Sequence, residues 1–124
     1  MYLVMNRFHV RPGAEAAFEE VWLTREVHLH TVPGFAGFQM LRGGKVEEGG
    51  THAYTLYASH TAWENEAAFL GWTRSQAFRD AHRGAGKHGD LYVGGPKLET
   101  FETLQTVHPD GSTEVYRQAR TQAS

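Results

Sequence analysis

An α+β domain of the split β-α-β, ferredoxin-like class is the fold this sequence predicts, on three observations. Four segments read as strands, with the two-residue alternation of a half-buried strand clear in Tyr2 to Val10 and in His52 to Ser59. Two others place apolar residues at helical spacing. Their order along the chain is strand, helix, strand, strand, helix, strand.

The first strand is Tyr2 to Val10. Tyr2, Val4, Asn6, Phe8 and Val10 share one face, and Leu3, Met5, Arg7 and His9 share the other. Pro12-Gly13 ends it. Asn6 is the polar member of an otherwise apolar face, so its amide is either satisfied by neighbouring backbone or kept for a ligand. Ala14 to His30 is expected to be a helix, with Phe18, Val21, Trp22 and Leu29 as its buried stripe and early glutamates suited to the positive end of the helix dipole. Pro33-Gly34 turns the chain into a second strand, Phe35 to Arg42. Gly43-Gly44 and Gly49-Gly50 bracket an expected polar loop before a third strand, His52 to Ser59.

Trp63 to Gly84 is expected to form two short helical pieces around which the chain is organised. Trp63, Ala67 and Leu70 mark the stripe of the first, widened by Phe69. Ser75 offers an N-cap hydroxyl for the second, and Phe78 and His82 share a face at a spacing of four. Gly84 and Gly86 are stop signals. Residues 85 to 96 are glycine-rich and expected to be a mobile loop. Lys97 to Val107 is the fourth strand, Pro109-Asp110-Gly111 a turn, and residues 112 to 116 a short extra strand or a partner-contacting arm before a frayed tail. The division expected is one domain over 1–107 and an extension over 108–124. Helices on one side of a sheet leave its other face bare. The strands carry apolar residues on both faces, so a homodimer through that bare face is expected.

Composition narrows the function. The chain has 124 residues, enough for one core without staples. It has no cysteine, which excludes a disulfide framework, thiol catalysis and cysteine-ligated zinc or iron–sulfur sites. A net charge of -2 argues against nucleic-acid binding through bulk charge. No stretch has signal-peptide or membrane-spanning character, and the protein is expected in the cytoplasm with no membrane partner. His28 and His30 stand two apart, so on a helix they cannot share a metal. There is no H-E-x-x-H, no G-x-S-x-G elbow and no nucleotide-binding glycine pattern placed between a strand and a helix.

What remains is a constellation: Asn6-Arg7 in the first strand, Pro33-Gly34-Phe35 after the first helix, and Ser59, His60, Thr61 and Trp63 leading to the second. Then comes the run Phe69, Trp72, Ser75, Phe78, His82. In these features the chain resembles the haem-degrading monooxygenases of the IsdG type, within the antibiotic biosynthesis monooxygenase superfamily. The resemblance covers roughly the first hundred residues. It implies a ferredoxin-like protomer that dimerises through its sheets into an α/β barrel. It implies haem as both cofactor and substrate, and O2 with an external electron donor, supplied by a reductase or a small-molecule reductant. His82 would be the proximal ligand of the haem iron, Asn6 would donate a hydrogen bond towards oxygen on the distal side, and Trp72 would press the macrocycle out of plane. Phe78 would line the cofactor site, and Arg7 or Arg83 would pair with a propionate, with Arg79 and Lys87 also near. A carbonyl that takes the proton of the second ring nitrogen would fix the tautomer of His82 that can ligate iron. The competing expectations are a cofactor-free monooxygenase of the same superfamily, acting on a quinol or polyketide-like aromatic, and a non-enzymatic haem carrier. For each residue a plain structural role stands beside the functional one: a core indole for Trp72, a surface or core imidazole for His82, a backbone-satisfied amide for Asn6.

Overall fold

The computed structural model describes residues 1–25, 27–82 and 89–117. Strand β1 spans Tyr2–Val10, helix α1 Glu15–Thr24, β2 Phe35–Glu48, β3 Thr51–Trp63, α2 Glu66–Thr73, α3 Gln76–Ala81 and β4 Lys97–Glu102. A separate hairpin, β5 (Gln105–Val107) and β6 (Thr113–Val115), follows. The main sheet is antiparallel with order β2-β3-β1-β4, as the ferredoxin-like class requires.

Alternation along β1 decides which face is the core. Tyr2, Val4, Phe8 and Val10 are buried and meet the helices, while Leu3, Met5, Arg7 and His9 lie on the opposite, helix-free face. The core on the helix side falls into two clusters. One joins Tyr2 and Val4 to Leu29, Val32, Trp63 and Phe69. The other joins Phe8 and Val10 to Phe18, Tyr57 and Leu91. Aromatic pairs stiffen both, among them Phe18–Tyr57 with ring centroids 4.5 Å apart and Phe8–Trp22 at 5.0 Å.

The first helix is shorter than its sequence pattern suggests. It ends at Thr24, whose hydroxyl bonds back to the Glu20 carbonyl, and Arg25 is extended. The chain then crosses from one cluster to the other. A 3-10 turn over Leu29–Thr31 buries Leu29 beside Val32, where a continuous helix would have kept it with Phe18.

β2 and β3 are longer than expected and close on Gly49-Gly50, a two-residue turn with φ of +62° and +79°, the geometry that matches the twist of a hairpin. Gly43-Gly44 is thus no loop boundary. It is an irregularity within β2, where a Cβ on Gly43 would stand 2.9 Å from the Leu56 carbonyl oxygen. Trp63 closes β3 and is fully buried, so it does not belong to the following helix, and Leu70 is exposed. Asn65 caps α2 through the Ala68 amide at 2.9 Å.

The described part of the glycine-rich segment is docked rather than loose. Leu91 is buried, its carbonyl accepts from the Arg11 amide at 2.8 Å, and the Val93 amide donates to His9 at 2.8 Å. The last predicted strand is broken: the chain leaves the main sheet after Glu102, and Gln105–Val107 pairs with β6 instead.

Candidate functional site

Between the two core clusters lies a row of the sheet that is not fully buried. The register places Met40, Ser59, Asn6 and Leu98 in one row across β2, β3, β1 and β4, on the helix-facing side. None of the four is buried, although Val4 and Thr61 on one side of the row and Phe8 and Tyr57 on the other are. The row is a strip with α2 and α3 packed beyond one border and α1 beyond the other. Asn6 sits in it, and its side-chain amide makes no hydrogen bond among the described residues. A structural amide on a strand face would be expected to find a backbone or side-chain partner; this one is left with its full donor and acceptor capacity.

A second group of candidate residues is carried by α2 and α3. Trp72, near the end of α2, stacks on Trp63 with centroids 5.4 Å apart and meets the edge of Phe78 at 4.9 Å. Phe78 stacks on the imidazole of His82 at 4.1 Å, and Trp72 lies 5.9 Å from that imidazole. The four rings form a ladder from the buried end of β3 to the exposed His82. Both indole Nε1 atoms in it, of Trp63 and Trp72, are buried without an acceptor among the described residues.

His82 is held at one ring nitrogen. Its Nδ1 stands 2.9 Å from the Phe78 carbonyl oxygen. A carbonyl can only accept, so the neutral imidazole carries its proton on Nδ1 and keeps the Nε2 lone pair. Nε2 has no partner among the described residues. This is the donor set a metalloporphyrin requires: one free imidazole nitrogen of fixed tautomer beside flat apolar surface. The residues present therefore fit haem.

The basic residues divide differently. Arg7 lies on the opposite face of β1 from Asn6, where its Nε pairs with the Glu99 carboxylate. It therefore falls outside this site, because successive side chains on a strand alternate faces. Arg79 is engaged at the surface with the Gln76 side chain and the Arg74 carbonyl. Arg83, Lys87 and the stop signals Gly84 and Gly86 lie outside the described residues. Arg25 escaped the sequence reading. Its guanidinium sits 3.9 Å over the Trp22 ring, and Trp22 packs on Phe8 at the border of the Asn6 row. Burial lowers its pKa from the ordinary value, which Tyr92 partly opposes. The Trp-x-x-Arg spacing at the helix end was the available signal.

The helix carrying Trp22 is itself anchored. Arg42 makes two bonds to the Glu19 carboxylate, at 2.8 and 3.0 Å, and the Tyr57 hydroxyl donates a third. These bonds hold the Glu19 carboxyl down to about 2. Thr55 donates to Glu15 at 2.7 Å and lowers that carboxyl as well.

Comparison with known proteins gives concordant results. The family model described as "Antibiotic biosynthesis monooxygenase" matches residues 1–84. A mycobilin-producing heme oxygenase of Mycobacterium tuberculosis is 33% identical over 109 residues, covering 88% of this chain and 94% of that protein. A staphylobilin-producing heme oxygenase of Staphylococcus saprophyticus is 30% identical over 87 residues, covering 70% and 78%. Among solved structures, the heme-degrader MhuD from Mycobacterium tuberculosis, with two hemes bound in its active site, superposes with a TM-score of 0.62. It is 30% identical, with 84% of this chain and 96% of that one covered.

Proposed function

Because this chain belongs to the antibiotic biosynthesis monooxygenase family, we propose that it is a haem-degrading monooxygenase. Haem is its substrate, and O2 and an external electron donor are consumed. The observation that carries this reading is an imidazole, His82, whose Nδ1 meets the Phe78 carbonyl and whose Nε2 has no partner among the described residues, with Asn6 on the helix side of the sheet making no side-chain hydrogen bond among those residues. Haem contributes an iron that activates oxygen and a macrocycle that is itself the target.

The residues have distinct tasks. His82 would hold the haem iron through Nε2. Its Nδ1–H···O=C bond to Phe78 keeps the ring turned and makes it the better ligand. Asn6 would donate a hydrogen bond from its amide, which has no acidic proton to give up. Trp72, backed by Trp63 and Phe78, would bear against a bound macrocycle with a packed indole. Arg25 is the candidate partner for a propionate, through a two-point contact. The relatives named as heme oxygenases, one of them matched over 94% of its length, support this reading.

The helix-free face of the sheet supports a homodimer. Leu3, Met5, Leu41, Leu56, Ala62 and Phe101 lie there, and no described helix packs over them. Phe101→Lys is expected to convert a dimer to a folded monomer by sedimentation; a dimer that survives it would remove this face from the interface. Among the described residues no helix is long and apolar enough to cross a membrane, and we place the enzyme in the cytoplasm.

The deciding experiment is a hemin titration followed by ascorbate in air, with catalase present to exclude bleaching by free peroxide. A saturable shifted Soret band that decays to a linear tetrapyrrole with release of iron is the expected result. A stable band would make the protein a carrier. Absence of any band would favour cofactor-free oxygenation.

A further inference from the structure

We propose that Ser75 is a positioning residue that sets Trp72 and His82 together. This inference rests on the haem-degrading reading for its role in turnover, but not for its structural content. The Ser75 hydroxyl donates to the Trp72 carbonyl oxygen at 2.6 Å and accepts from the Phe78 amide at 3.1 Å. The Phe78 carbonyl in turn accepts from His82, through the backbone amide at 3.1 Å and through Nδ1 at 2.9 Å. One hydroxyl, using both its donor and its acceptor, thereby ties the residue carrying the distorting indole to the residue that orients the iron ligand.

Two features make this hydroxyl decisive rather than incidental. First, α3 has six residues, too few to hold its own geometry, so its N-cap determines where its first turn lies. Phe78 is in that turn, and His82 hangs from its carbonyl. Second, the junction of α2 and α3 is folded around the same group: the Ser75 amide also donates to Trp72, at 2.9 Å, which brings the end of one helix onto the start of the next. Any fraying of the α3 cap moves the Phe78 carbonyl away from Nδ1 and releases the imidazole to its other tautomer.

The test is read in the ligand-free protein at pH 8, from the imidazole nitrogen and indole Nε1–H signals in 15N NMR. Wild type is expected to show His82 predominantly as the Nδ1–H tautomer. Ser75→Ala should shift His82 to the Nε2–H form and move the Trp72 indole signal, and Ser75→Thr, which keeps donor and acceptor, should restore both. Ser75→Asp keeps the acceptor for Phe78 but sets a carboxylate against the Trp72 carbonyl. It should hold the His82 tautomer and displace Trp72 alone, which also preserves the test if the alanine variant fails to fold. A folded Ser75→Ala protein with the wild-type tautomer and indole signal, or an aspartate variant that loses the His82 tautomer, would overturn the proposal. Hemin binding by the wild type is measured separately. If no hemin binds yet Ser75→Ala releases the imidazole, the haem reading falls and the role of Ser75 stands.

Discussion

His82 and Phe78 are joined three ways: the Phe78 carbonyl accepts the His82 amide at 3.1 Å and Nδ1 at 2.9 Å, and the two rings stack at 4.1 Å. An exposed imidazole gains little stability from such an arrangement, but it gains a fixed direction and a fixed tautomer. His82→Ala is therefore expected to change folding stability by no more than about 0.5 kcal/mol, the usual range for a surface substitution, and to abolish the iron-linked Soret band. An unaltered spectrum would remove His82 as the ligand.

Asn6 breaks an otherwise apolar strand face, between Val4 and Phe8. Asn6→Leu should let the two core clusters merge over the strip and raise stability by about 1 kcal/mol, seen as a higher Tm, while haem turnover is lost. Asn6→Ala should bind haem and degrade it slowly. Turnover at the wild-type rate in both variants would take Asn6 out of the chemistry.

Gly34 has φ of +82°, and a Cβ there would stand 2.4 Å from the Cβ of Ala68 on α2. Gly34→Ala is expected to cost about 3 kcal/mol, from the left-handed backbone and the overpacking together, and to displace α2. Thermal melts check the first and the Trp72 environment in near-UV circular dichroism the second. A Tm within a degree of wild type would show that the turn can move away.

Glu19 titrates from about 4.5 when unpaired to about 2 when folded, chiefly through Arg42 and then Tyr57. A carboxyl depressed in the folded state stabilises above its unfolded pKa, and that contribution is lost as pH falls from 4.5 through 2. Denaturant midpoints measured across this window should fall for the wild type, and Glu19→Gln should flatten the dependence. A variant with the wild-type slope would assign the acid sensitivity to other carboxyls.

The parts of the fold readable from the chain were those set by short-range alternation and punctuation. β1 was bounded correctly by its two-residue period and Pro12-Gly13. Ser75 was legible as a cap because capping is a local hydrogen bond. The errors came where long-range pairing overrode local signals. Gly43-Gly44 looks like a loop and is held in β2 by pairing with β3. Trp63 fits a helical stripe and is the last residue of a strand, because Tyr2 and Phe35 pair with it on either side.

By itself the sequence determined the order of elements, the absence of thiol chemistry, and the spacing that puts His82 one helical turn after Phe78. These depend on residues close in the chain. Only the tertiary structure decided that Arg7, on the face the alternation assigns it, pairs with Glu99, 92 residues on. It alone revealed that Arg25 lies over Trp22, and that the buried core divides into two clusters on either side of the Asn6 row. Those outcomes depend on register and on which helix covers which rows of the sheet. A shift of one residue in strand pairing exchanges the two faces, so no local pattern can specify them.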